Sequence, residues 1–232
     1  MMKTRIGILK PGAAPENLAA VQGDYDFLFR QLLGEDDFDY VAYDVEKGIF
    51  PPNAMVTDGW IITGSRHGVY EDHAWIAPLE RLIRDIQAAG RPLVGICFGH
   101  QIVAQALGGR VERAASGWIA GPQTYTDTTG REFHVNAWHR DQVVEAPPGA
   151  EVFASGAECP IAGLRYTGPI LTLQPHPEFS MPYLAGLFEE RGAALPEAVQ
   201  AATLTSMQYG FVDQVSMGQV LREILKSGAR GR

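Results

Sequence analysis

The sequence predicts an α/β fold: an open, mostly parallel sheet with helices on both faces and an antiparallel hairpin extension. Three observations lead there. Over residues 5–107, short apolar runs alternate with amphipathic helical stretches, the pattern of parallel strands joined by crossing helices. Residues 110–173 then turn rich in Val, Phe, Tyr, Thr and Gly, with turn signals at Thr129-Gly130, Pro148-Gly149 and Thr167-Gly168-Pro169, as β-hairpins require. Helical patterning returns from about Met181.

Taken in order, the apolar run at residues 5–9 is the first strand, and a helix follows around 25–33. Residues 38–43 and 59–63 are short apolar runs and form the second and third strands. Between 73 and 89, Trp75, Ile76, Leu79, Leu82, Ile83 and Ile86 recur at helical spacing and make one apolar face. Gly90 ends that helix, because it tolerates the positive φ of a C-terminal cap. Residues 92–96 make a buried strand, and 98–107 a helix that stops at Gly108-Gly109. After the hairpins, 169–173 is a further strand. A last helix over 211–226 turns Val215, Val220, Leu221, Ile224 and Leu225 toward the core. With no internal repeat and no low-complexity linker, one domain over 1–232 is expected, its small, polar and basic tail at 227–232 frayed.

Composition narrows the function. A chain of 232 residues, 46% hydrophobic and 20% charged, can bury a full core. Its net charge of −8 repels phosphates, so no nucleic-acid partner is expected. Residues 1–11 carry Lys3, Arg5 and Lys10 and lack the apolar core of an export signal. No stretch approaches the roughly 18–20 apolar residues that span a bilayer. Two cysteines do not make a disulfide framework. These features predict a cytoplasmic protein without membrane partners.

Two motifs carry chemistry. Gly95-Ile96-Cys97-Phe98-Gly99 joins an apolar strand to a helix and is the cysteine counterpart of the G-x-S-x-G nucleophile elbow. The nucleophile must stand on a tight, strained turn, and glycines two positions away on either side keep that turn uncrowded. The following helix points its positive end at Cys97 and favours an anion there, while the Phe98 N–H is available to an oxyanion. The second motif, Gln174-Pro175-His176-Pro177-Glu178-Phe179, follows a strand at its C-terminal end, where catalytic groups of open α/β sheets gather. A thiol nucleophile needs a base, and the base needs a group that fixes its tautomer. His176 and Glu178 sit two residues apart on a segment stiffened by Pro175 and Pro177.

The sequence G-I-C-F-G-H-Q at residues 95–101, followed far downstream by Q-P-H-P-E-F, resembles the class I glutamine amidotransferase family over most of the chain. The resemblance is strongest to stand-alone, GMP-synthase-like members. It implies a flavodoxin-like sheet and a catalytic triad of Cys97, His176 and Glu178. It also implies an oxyanion hole built from the Phe98 N–H and one from Gly64 or Ser65, in a loop where most members have consecutive glycines followed by proline. Gln101 is similar to the family's glutamine-holding residue. Residues 138–143 are similar to the segment that grips the substrate's amino-acid end, which assigns Trp138, His139, Arg140 and Asp141 to substrate binding. Trp138 stands where biosynthetic members have a small or polar residue; His139 shapes the pocket.

The resemblance implies no cofactor and a small-molecule substrate, glutamine or another γ-glutamyl amide. Ammonia would pass to a separate synthetase, since the chain has no nucleotide-binding motif. Two alternatives stay open: a free-standing γ-glutamyl amide hydrolase or peptidase, and a catalytically dead binding domain. Cys159, beside Pro160 in an expected hairpin turn, reads as a lone thiol. His67, His73, His100 and His134 show no ligand spacing, so no metal is expected.

Overall fold

The structure, a computed structural model, describes residues 3–227. Strands β1 (Thr4–Leu9), β2 (Phe38–Tyr43), β3 (Gly59–Ile62), β4 (Leu93–Ile96) and β11 (Ile170–Leu173) pair in parallel. Strands β6 (Ile119–Asp127), β7 (Glu132–His139), β9 (Glu151–Gly156) and β10 (Cys159–Arg165) extend the same sheet antiparallel, in the order β2-β1-β3-β4-β11-β10-β9-β6-β7. β5 (Arg110–Arg113) and β8 (Asp141–Glu145) form a separate pair. The predicted mixed sheet is therefore present, with β11 returning from the hairpins to lie beside β4.

Every residue of β3, β4 and β11 is buried, as expected of central strands covered on both faces. Their side chains alternate between two apolar layers. Trp60, Ile62 and Leu93 face one core, to which helix α3 (Ile76–Ala88) contributes Leu79, Ile83 and Ile86. Each such burial is worth about 1.5–3 kcal/mol. Ile61, Val94 and Ile96 face the other core, with Phe29 and Leu33 of α2 (Tyr25–Leu33) and Leu221 and Leu225 of α7 (Gln214–Ser227). Helix α4 (Phe98–Ala106) follows β4 directly. Helices α1 (Glu16–Gln22), α5 (Met181–Arg191) and α6 (Glu197–Tyr209) complete the fold.

Several sequence expectations change. Val215 is 78% exposed rather than core-facing, because it sits in the first turn of α7, whose apolar stripe begins at Met217. Phe211 precedes α7 and packs its ring against His134, centroids 4.5 Å apart. Cys159 opens β10, buried, rather than lying in a turn. The helix expected over 73–89 starts at Ile76, with Gly90 at φ 63° just beyond its end. Of the tail expected at 227–232, Ser227 is the last residue of α7 and 228–232 lie outside the described residues.

Candidate active site

Cys97 sits where β4 passes into α4, at φ 54° and ψ −102°, and among the described residues it alone, apart from glycines, has positive φ. Such a conformation costs on the order of 1–3 kcal/mol and persists only where its surroundings enforce it. Two glycines do so. A Cβ on Gly95 would lie 2.6 Å from the Gly99 oxygen, and one on Gly99 would lie 2.3 Å from the Ile62 oxygen. The first turn of α4 therefore packs backbone to backbone against β3 and β4.

His176 and Glu178 follow β11, next to β4 in the sheet. The imidazole Nδ1 donates to Glu178 Oε1 at 2.7 Å, with both side chains almost fully buried. That bond leaves Nε2 as the nitrogen free for chemistry. Burial works against a charged imidazole here, but the Glu178 carboxylate, the Cys97 thiolate and a hydrogen bond to Cys97 outweigh it and raise the His176 pKa. Sulfur, imidazole and carboxylate thus meet at one edge of the sheet.

Neighbours hold the ring in place. The His176 N–H donates to the Asn136 carbonyl at 2.7 Å, Asn136 Nδ2 donates to the Phe179 carbonyl at 2.8 Å, and the Phe179 ring stacks on the imidazole with centroids 4.0 Å apart. Sequence reasoning missed both residues as positioners. Phe179 lay inside the quoted motif, but Asn136 is brought to it only by pairing between β7 and the segment after β11. Gly64 lies against the same ring, since a Cβ there would be 2.9 Å from His176 Cε1. The Gly64 and Ser65 N–H groups donate to no protein acceptor among the described residues, and the Phe98 N–H opens α4, where no intrahelical acceptor exists.

Ser65, Cys97, His176 and Phe179 line a cleft of about 550 Å³ together with Gln101, Trp138, His139, Arg140 and Asp141. Gln101 Nε2 donates to the Asp141 carbonyl at 2.8 Å and to Gln174 Oε1 at 3.1 Å, so its amide ties the start of β8 to the segment after β11. Burial, then the nearby His176, push His139 down to about 3, which keeps it neutral. His100 is likewise pushed to about 3 by burial and is bonded to Thr172 and the Ile161 carbonyl; it belongs to the core. The same cleft is also lined by Tyr25, Trp118, Glu190 and Arg191, which no local sequence signal marked. Trp118 and Trp138 meet edge to face at 6.4 Å, and Arg140 lies 5.5 Å over the Trp118 ring.

The histidines that looked scattered are not all so. The turn after Ser65 brings His67 and His73 onto Glu71, with ring nitrogens 3.2 and 2.8 Å from Glu71 Oε2.

Replacing Glu178 with Gln keeps the size of the side chain and removes its charge. Turnover is expected to fall by about 10²-fold or more, by analogy with neutralised orienting carboxylates. KM should change little, because the carboxylate faces His176 and not the cleft. Steady-state kinetics checks the split.

A doubly covered α/β sheet with a strained cysteine elbow facing a histidine–carboxylate pair defines an amidotransferase-like class. Solved structures agree on the fold: a glutamine amidotransferase from Thermotoga maritima superposes with a TM-score of 0.76 over 100% of both chains at 18% identity. One from Methylobacillus flagellatus gives 0.74 over 98% of this chain and 94% of that one, at 17% identity. The chain belongs to the glutamine amidotransferase class-I family, whose family model matches residues 39–184. Among curated relatives, gamma-glutamyl peptidase 4 of Arabidopsis thaliana is 25% identical over 88% of each chain. A glutamine-hydrolysing GMP synthase of Aromatoleum aromaticum is 35% identical over 52% of this chain and 25% of its own length. Among the described residues, no helix is long and apolar enough to cross a membrane.

Proposed function

We propose that this protein is a γ-glutamyl amide hydrolase that releases an amine from γ-glutamyl conjugates through a thioester on Cys97. The Cys97 sulfur attacks the γ-carbonyl carbon, and the oxyanion that forms takes hydrogen bonds from the Phe98 N–H and the Gly64 or Ser65 N–H. As the C–N bond breaks, His176 Nε2–H gives its proton to the departing amine. The same nitrogen then takes a proton from water, whose oxygen attacks the thioester and frees glutamate and the thiol. Glu178 holds the imidazole tautomer and stabilises its charged form throughout.

The observation that carries this reading is the cleft above Cys97. At about 550 Å³ it falls among pockets of roughly 300–1,000 Å³ that enclose drug-sized ligands. Its wall includes Trp118, Trp138 and Arg191, aromatic and charged surface that suits a leaving group larger than ammonia. The similarity to a gamma-glutamyl peptidase over most of both chains supports it. A second reading, a glutaminase feeding ammonia to a separate synthetase, rests on the similarity to a GMP synthase.

Assaying glutamine against γ-glutamyl dipeptides and γ-glutamylamines tests the choice. Higher kcat/KM for the conjugates is expected from the isolated protein; preference for glutamine, or turnover only with an added synthetase, overturns it. Trp138→Ala should lower kcat/KM about 10-fold for conjugates with aromatic leaving groups, the loss of about 1.4 kcal/mol of ring contact. Glutamine hydrolysis should stay within about threefold of the parent, a shift under 1 kcal/mol.

A further inference from the structure

A second group of chemistry-bearing side chains lies on the rim of the cleft, outside the thiol machinery. His67, Glu71 and His73 offer one ligand atom each, all within 4.8 Å of one another. Two imidazole nitrogens converge on one carboxylate oxygen: His67 Nδ1 lies 3.2 Å and His73 Nε2 2.8 Å from Glu71 Oε2. Zn–N and Zn–O bonds of about 2.0–2.2 Å in a tetrahedron set donor atoms about 3.3–3.5 Å apart. From 3.2 and 2.8 Å, movements of about 0.1–0.3 Å and about 0.5–0.7 Å would open these two contacts to that spacing.

The surroundings match what metal-binding imidazoles require. His67 Nε2, the nitrogen turned away from the cluster, sits 3.0 Å from Glu46 Oε1. A carboxylate on the far nitrogen is the partner that fixes the tautomer and orientation of a ligating histidine. Arg66 is 3.6 Å from the same Glu46 oxygen, which keeps Glu46 in that outer role. The His73 ring stacks on Trp75 at 5.5 Å with planes 8° apart, so its direction is set by packing.

The geometry points to a site for a first-row divalent transition metal, of the zinc or cobalt kind, held by His67 Nδ1, Glu71 Oε2 and His73 Nε2. Two imidazoles and one carboxylate suit such borderline cations better than magnesium or calcium, which take all-oxygen shells. Three protein ligands leave a fourth position to water. The metal ties the segment 67–73 into a closed loop. His67 also lines the cleft next to Ser65, so the ion stiffens the wall that carries the proposed oxyanion donors. Its role is to clamp that loop; the thiol chemistry does not run through it.

The test uses the Cys97→Ser protein, so that the active-site thiol cannot be a ligand. It is stripped with chelator and titrated calorimetrically with Zn²⁺, and with Co²⁺ while visible absorption is followed. One equivalent should bind, with tetrahedral cobalt bands, and Zn²⁺ should raise the melting temperature by mass action. Adding Glu71→Gln or His73→Gln should weaken binding at least about 100-fold, and Glu46→Gln about 10-fold, the range seen when an outer carboxylate is removed. Absence of saturable binding in the Cys97→Ser protein, or equal affinity in the Glu71 and His73 variants, overturns the assignment. Circular dichroism of each metal-free variant separates loss of ligands from loss of fold.

Discussion

On the proposed mechanism, replacing Cys97 with serine is expected to reduce γ-glutamyl amide hydrolysis by at least about 10³-fold, since removing the nucleophile of a triad removes the concerted action of all its members. Folding should survive. Serine has nearly the same size, and the φ of 54° is imposed by the backbone packing of Gly95 and Gly99 rather than by the sulfur. A melting temperature within a few degrees of the parent would follow, as a change of 1 kcal/mol moves a domain of this size by about 2–4 °C. The variant also reports on the electrostatics. The thiolate charge and its hydrogen bond help to raise the His176 pKa, together with Glu178 and against burial. Without the thiolate, the imidazole should titrate at lower pH than in the parent, a shift readable from its Cε1 proton by NMR. An unchanged titration would mean that sulfur and imidazole do not communicate, and near-normal turnover would remove Cys97 from the chemistry altogether.

How much of this was legible beforehand depends on the range of each interaction. The strand at 38–43 and the helix at 25–33 coincide with β2 and α2, and the elbow between an apolar strand and a helix is where β4 meets α4. These are local patterns of burial and turn chemistry, which the order of residues records directly. Helix α6 carries one buried residue, Thr203, so no apolar stripe announced it. Val215 fits the apolar spacing of its helix but lies a turn before the point where α7 meets the sheet; spacing shows a face, not where contact begins. Asn136 reaches the site by pairing with His176, and Trp118 by preceding β6, whose Ile119 pairs with His139; both are long-range properties. The His67, Glu71 and His73 cluster depends on a turn whose path no spacing rule describes.

A single methyl group at Gly99 should destabilise the protein more than substitution of Cys97, His176 or Glu178. In Gly99→Ala the new Cβ would be placed 2.3 Å from the Ile62 oxygen, 3.0 Å from its carbonyl carbon and 3.1 Å from its Cβ. Two of those atoms are backbone in a central strand that is hydrogen-bonded on both sides, so no flexible side chain can swing away. Overpacking usually costs about 1–3 kcal/mol; with rigid neighbours the expected loss is about 3 kcal/mol or more, a fall in melting temperature of roughly 6–12 °C. Activity should fall with it, because pushing α4 away from β3 separates the Phe98 N–H from Gly64. The control is Gly90→Ala. Gly90 has positive φ, 63°, but nothing within 4 Å of its would-be Cβ, so only the backbone penalty of about 1–2 kcal/mol applies. If thermal unfolding ranks the two variants equally, conformational preference rather than backbone contact holds the elbow, and the packing account of the strained cysteine fails.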